Sequence, residues 1–188
     1  MAIRIYIDQG HNPRNPNAGA EANGYREQDI TYRVGKYLAE YLDNDADFTA
    51  RVSRPTPETQ LGTSNASSLS ARVRDANTWG ADYFISIHTN TAESPRAAGS
   101  EAFVYRTSSR AYPLAENILR WLRYVSGFPT RGVFERPGLY VLRYTRMPAT
   151  LVELGFLSNP EEARFMADNT RLLALGIYRG IQQYFGLL

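Results

Sequence analysis

The 188-residue sequence contains no cysteine and only two histidines, His11 and His88. Without cysteine there is no disulfide framework and no thiolate metal site, so any bound zinc has to be held by histidine, aspartate or glutamate. No apolar run approaches the roughly 20 residues that a membrane-spanning helix needs, and no membrane span is expected. The opening residues, MAIRIYIDQG, read as a strand and lack the basic and apolar regions of a signal peptide. Strong charge of one sign is also missing. The formal net charge is +2, and the arginines are scattered rather than gathered in a stripe, so no nucleic-acid partner is expected. There is no internal repeat and no low-complexity tract.

What is present is a globular balance of 43% hydrophobic and 21% charged residues, enough to bury one core, and residues 1–188 read as a single domain. A β-branched alternating segment over 3–8 predicts a first strand, ended by Gly10. An Asn/Pro/Gly/Ala-rich loop over 12–24 follows. Ile30, Val34, Leu38, Tyr41 and Leu42 recur at helical spacing. Residues 48–53 suit a short strand, and 54–67 a loop long enough to invite a functional explanation. Ser68 or Ser70 is expected to cap a helix that runs to about Thr78 and is closed by Gly80. Further strands are predicted over 82–88, 101–106, 139–143 and 150–154, and a helix over 112–125. Asn159-Pro160-Glu161-Glu162 reads as a helix start. Leu173, Ile177, Ile181 and Phe185 mark the apolar stripe of a last helix. Strands alternating with helices predict an α/β fold: a largely parallel twisted sheet of about six strands, with helices on both faces.

Both histidines fall at or just past the end of a predicted strand, where ligands bind in open α/β sheets. Glu153 lies at another strand end, inside the apolar run LVELGFL, so it faces a site or is paired. Glu27 opens the first helix and can point back to the same sheet edge. Two imidazoles and a carboxylate can hold zinc and leave a fourth position for water, while a further carboxylate takes a proton. Singly, each has an ordinary structural reading: a hydrogen-bonded histidine, a helix N-terminal acid, a buried ion-pair partner. Their spacing does not assemble them.

Longer segments carry more. IYIDQGHNP, Asn17-Ala18-Gly19, Arg26-Glu27, SLSARVRDANTWGADYFISIHTN, Arg131-Gly132 and LYVLRYTRMPATLVELGFLSNPEEARF together resemble the type 3 family of zinc-dependent N-acetylmuramoyl-L-alanine amidases over essentially the full length. Position by position, the resemblance implies one zinc ion per chain held by His11, Glu27 and His88, with Glu153 as the catalytic glutamate. Asp8, Arg72 and Asn77 read as structural, Asn90 as a residue that orients substrate or holds its loop, and Tyr140 and Tyr144 as groove-lining or core-covering. Gln9 and Asn12-Pro13 stand where the family commonly has proline and glycines, which is expected to reshape the lip beside the metal. Only 89–99 separates His88 from the next strand, so the helical plug found in some relatives is not expected.

The resemblance implies a catalytic domain that hydrolyses the amide between the lactyl group of N-acetylmuramic acid and L-alanine, with peptidoglycan as its partner and no other cofactor. A monomer acting at the bacterial wall is expected, either exported within a longer protein or of phage or host-cytoplasm origin and released at lysis. Two alternatives stay open at this point. A zinc peptidase or carboxypeptidase can use the same donors, although its His-Glu-x-x-His helix is missing. A wall-binding module without turnover would keep the fold but has no need of Glu153.

Overall fold

The computed structural model describes residues 2–188. Its elements run in the order β1 (Ile3–Gln9), β2 (Glu21–Ala22), β3 (Tyr25–Arg26), α1 (Glu27–Asp43), β4 (Phe48–Val52), α2 (Asn65–Trp79) and β5 (Tyr83–Asn90). They continue with β6 (Ser100–Val104), α3 (Ala111–Ser126), β7 (Thr130–Glu135), α4 (Tyr140–Tyr144), β8 (Ala149–Phe156), α5 (Pro160–Asp168) and α6 (Thr170–Phe185). Six strands form one sheet in the order β4-β1-β5-β8-β6-β7, and β2 and β3 pair as a small hairpin. β4, β1, β5 and β8 are parallel; β6 is antiparallel to β8, and β7 follows β6 in parallel.

Side-chain alternation along the strands splits the core in two. Ile5, Ile7, Ile85, Ile87, Val152 and Leu154 face one side and pack against α1, α3 and α6 through Ile30, Val34, Leu38, Ile118, Leu122, Leu173 and Ile177. Tyr6, Phe84 and Leu151 face the other side and meet Val73 and Ala76 of α2 and Val141 and Leu142 of α4. Each fully buried aliphatic or aromatic side chain contributes about 1.5–3 kcal/mol of transfer free energy, which is what holds helices to both faces.

The connections fix where a site can form. From β1 the chain crosses through α1 to β4; from β4 it returns through α2, on the opposite face, to β5 on the other side of β1. The strand order reverses between β1 and β5, and a crevice opens there at the carboxyl ends of the strands.

The expected α/β sheet with helices on both faces is present, with one exchange of strands. Residues 139–143 are not a strand: Tyr140–Tyr144 is the short helix α4, packed on α2 and β8. Four consecutive apolar or aromatic positions, 139–142, carry no period that separates strand from helix turn. The sheet position is taken instead by β7, whose half-exposed edge residues and internal Gly132 hid it from a hydrophobic pattern. α2 starts before the expected caps: the side chain of Ser64 accepts from the Ser67 backbone N–H, and the Ser67 side chain accepts from the Ser64 backbone. Gly80 ends that helix in the left-handed region, as expected.

Candidate metal centre

Three donor side chains meet at the crevice. His11 follows β1, Glu27 is the first residue of α1, and His88 lies near the end of β5. His11 Nε2 is 3.2 Å from Glu27 Oε2, and His88 Nδ1 is 3.0 Å from Glu27 Oε1. All three ligand atoms lie within 4.8 Å of one another. Bonds of about 2.0–2.2 Å to a tetrahedral zinc ion set its ligand atoms roughly 3.4 Å apart, so a single ion can be reached by all three.

The backbone is shaped for this convergence. His11 has φ 68°, a left-handed conformation that a non-glycine residue adopts at a cost of about 1–3 kcal/mol, and its imidazole lies against Glu27. Gly10 lets the end of β1 pass against His88; a Cβ there would lie 2.6 Å from His88 Cε1. The Glu27 carboxylate is 4% exposed and is oriented by two backbone donors, Ala20 N–H at 3.1 Å and Thr89 N–H at 3.0 Å. Burial alone would raise its pKa, but the hydrogen bonds and charge of His11 and His88 outweigh burial and hold Glu27 well below the carboxylate range. It is an anion at any working pH, as a ligand must be.

Glu153 stands beside these donors. It is the register partner of His88 across β5 and β8, and the partner of Glu101 across β8 and β6. Its Oε2 is buried and has no hydrogen-bond partner, and so does His11 Nδ1. Native proteins rarely leave a buried carboxylate oxygen unpaired, so Glu153 Oε2 beside the three donors fits a group that meets a ligand or reactant. Burial first, then the negative charges of Glu27 and Glu101, push the Glu153 carboxyl up to about 8. A cavity of about 140 Å³ opens beside the cluster, walled by His11, His88, Leu69, Leu139, Tyr140 and Leu151.

A buried ion pair supports the loop that carries His11. Arg72 on α2 pairs with Asp8 at 2.5 Å and donates to the main-chain oxygens of Gln9 at 2.7 Å and His11 at 2.6 Å. Ser86 donates to the second Asp8 oxygen at 2.8 Å. The long loop over 54–67 clasps the same segment: Asn12 donates to Leu61 O at 2.9 Å and accepts from Leu61 N–H at 3.1 Å. Arg54, also buried, donates to Gln28 O at 3.0 Å and Pro57 O at 2.9 Å.

The profile of the N-acetylmuramoyl-L-alanine amidase family matches residues 5–183. The chain belongs to that family. It is 31% identical to the germination-specific N-acetylmuramoyl-L-alanine amidase of Bacillus subtilis (strain 168), over 96% of this chain and 79% of that protein. It is 32% identical to the N-acetylmuramoyl-L-alanine amidase CwlM of Bacillus licheniformis, over 98% of this chain and 70% of that one. The crystal structure of N-acetylmuramoyl-L-alanine amidase from Clostridium difficile 630 superimposes with a TM-score of 0.87 at 29% identity, covering 98% and 97% of the two chains.

Within this family fold, His11, Glu27 and His88 come together, with Glu153 as the next carboxylate on the sheet. Asp8 and Arg72 fix the His11 loop, and Asn77 fixes the end of α4 by donating to Tyr144 O at 3.1 Å and accepting from Arg146 N–H at 2.9 Å. Asn90 holds its own loop, accepting from Thr91 N–H and donating to Glu101. Tyr140 lines the cavity and Tyr144 is exposed. Gln9 and Asn12, two of the residues expected to reshape the lip, are fully buried and serve as loop ties. Residues 91–99 join β5 to β6 without a helix.

Two buried carboxylates escaped the sequence reading. Glu101 sits on β6 beside Glu153, and its signal was a charge inside an apolar strand. Glu162, noted in the sequence only as part of a helix start, accepts from Gly99 N–H at 2.7 Å and Phe156 N–H at 2.7 Å, pinning the 91–99 loop to β8.

Proposed function

We propose that this protein is a zinc-dependent N-acetylmuramoyl-L-alanine amidase, with residues 1–188 as its single catalytic domain. Its substrate on this reading is peptidoglycan, and the bond cut joins the lactyl group of N-acetylmuramic acid to L-alanine. The observation that carries it is the convergence of His11, Glu27 and His88 within 4.8 Å beside an unpartnered Glu153, in a chain of this family. The donor set fits zinc of the catalytic kind: three protein ligands of nitrogen and oxygen, with one side open. No helix among the described residues is long and apolar enough to cross a membrane, and the site of action we assign is the bacterial wall.

When bound, zinc supplies Lewis-acid polarisation of the scissile carbonyl and acidifies a water molecule. His11, Glu27 and His88 are the residues that would hold it, and the backbone donors to Glu27 keep that carboxylate from turning away. Glu153 takes the proton of the attacking water. It then delivers a proton to the departing alanine nitrogen, which leaves as an amine rather than as an unstable amide anion. A carboxyl whose proton affinity is raised by burial is suited to both halves of that transfer. The carboxylate left on the lactyl group and the free alanine amine complete the balance of one water consumed. Treatment with a chelator should abolish hydrolysis of purified peptidoglycan and added zinc should restore it; activity unaffected by chelation would remove the metal from the account.

A further inference from the structure

Strand β7 carries a bulge. Thr130 pairs with Ser100 and Gly132 with Glu101, so Arg131 is an extra residue between consecutive positions of β6. Gly132 accommodates it at φ 122°, a conformation that favours glycine. Bulges re-aim side chains and recur beside active sites. Here Arg131 is turned onto the face that bears Glu101, and its Nε donates to Glu101 Oε2 at 2.9 Å. Because Glu101 is the cross-strand partner of Glu153, and Glu153 of His88, the four side chains follow one another across the sheet. At about 4.8 Å per strand, β7 lies roughly 10 Å from β8.

The guanidinium is held but not used up. Glu101 engages Nε alone, its other oxygen being taken by Asn90 Nδ2 at 2.5 Å. Nη1 reaches Ala98 O only at 3.5 Å, and the Phe156 ring backs the group at 5.1 Å from its centroid. The side chain stays 45% exposed. Its Nη edge is thus a pre-positioned fork of the kind that grips a carboxylate in two parallel hydrogen bonds.

We propose that Arg131 is a specificity-determining residue that binds a free carboxylate of the stem peptide, the first one beyond the alanine whose amide is cut. This rests on the amidase reading above. β8 and β7 are roughly 10 Å apart and a peptide chain advances about 3.3–3.6 Å per residue, so a carboxylate within two or three residues of the scissile amide is in reach of a guanidinium drawn back over β6 by Glu101. Glu101 and Phe156 are the supports that keep the fork aimed. Stems in which this carboxylate is converted to a carboxamide lose the charge the fork reads.

The test pairs two synthetic muramyl peptides, identical except that this carboxylate is free in one and a carboxamide in the other. Wild-type protein should favour the free acid by about tenfold or more in kcat/KM, the scale of a charge-assisted hydrogen bond, and Arg131→Gln should cleave both alike. Calorimetry with the corresponding free stem peptides reads the same preference without turnover. A wild type that ignores the difference, or an Arg131→Gln variant that keeps it, overturns the proposal. So does a variant that loses the same factor on both substrates, because that is the mark of a residue that only supports the bulge. Preferential binding of the acid peptide by a wild type that never cuts the lactyl amide would uphold Arg131 and reject the amidase reading instead.

Discussion

Arg72 holds the main-chain oxygen of His11 at 2.6 Å with the same guanidinium that pairs with Asp8 at 2.5 Å. One buried cation on α2 therefore fixes both the end of β1 and the strained turn that aims the first imidazole. Removing it leaves Asp8 buried without its counter-charge. Arg72→Met should lower unfolding free energy by about 3–5 kcal/mol, the cost of breaking a buried pair, and should weaken metal binding because His11 loses its anchor. Urea unfolding and a zinc titration on the same variant check both parts. A loss below about 1 kcal/mol with unchanged zinc affinity would contradict the role given to Arg72.

The same pair sets an acid limit. Burial by itself would raise the Asp8 pKa, but the charge and hydrogen bonds of Arg72, helped by His88 and Ser86, hold it below the usual carboxylate value. The unfolded chain then takes up the proton first as pH falls. Stability from this group is fully present above the unfolded value of about 3.9 and is lost as pH drops through the folded one. The gap in thermal stability between wild type and Asp8→Asn should accordingly narrow from about pH 5 to about pH 3. A gap that is constant with pH would mean that Asp8 is not the titrating group.

Glu153 shows the opposite sign. Its carboxyl is pushed up to about 8 by burial and by Glu27 and Glu101, so in the metal-free protein the folded state keeps a proton that the unfolded state has lost. Stability from this site falls as pH rises from the unfolded value of about 4.3 toward the folded one. Metal-free Glu153→Gln should therefore be more stable than wild type at about pH 8, while its turnover with zinc is lower by ~100-fold or more, the scale of losing a general base. Zinc content should not change. Loss of zinc along with activity would make Glu153 a ligand.

Metal content of His88→Ala is the simplest test of the centre. Purified wild type is expected to carry about one zinc per chain, and two remaining donors are too few for a stable catalytic site. Affinity in the wild type should decline as pH drops and protons compete for the imidazoles. An unchanged metal content in His88→Ala would place the ion elsewhere.

How much of this was legible in the sequence depends on the kind of signal. β1, β5 and β8 and the helices α1, α3 and α6 announce themselves by apolar period, because each buries a continuous stripe in the core. β7 and α4 do not. β7 is a half-exposed edge interrupted by a bulge and a glycine, and α4 is a single turn whose apolar run reads equally well as a strand. His11, His88, Glu27 and Glu153 could each be suspected from strand ends and a helix start; spacing does not join residues so distant along the chain, the family resemblance groups them, and the fold brings the three donors within 4.8 Å of one another. The relation of Glu101 and Arg131 to Glu153 was not legible for a related reason: it runs through cross-strand register, and a bulge shifts that register by one residue.

The bond that is cut tests the central claim most directly. Purified peptidoglycan should be digested with the zinc-loaded protein and its products read by mass spectrometry. The account predicts intact stem peptides released with new alanine amino termini, muramic acid left with a free lactyl carboxylate, and no rise in reducing sugar. Stems still joined to muramic acid, with cleavage inside the peptide or between sugars, would contradict it.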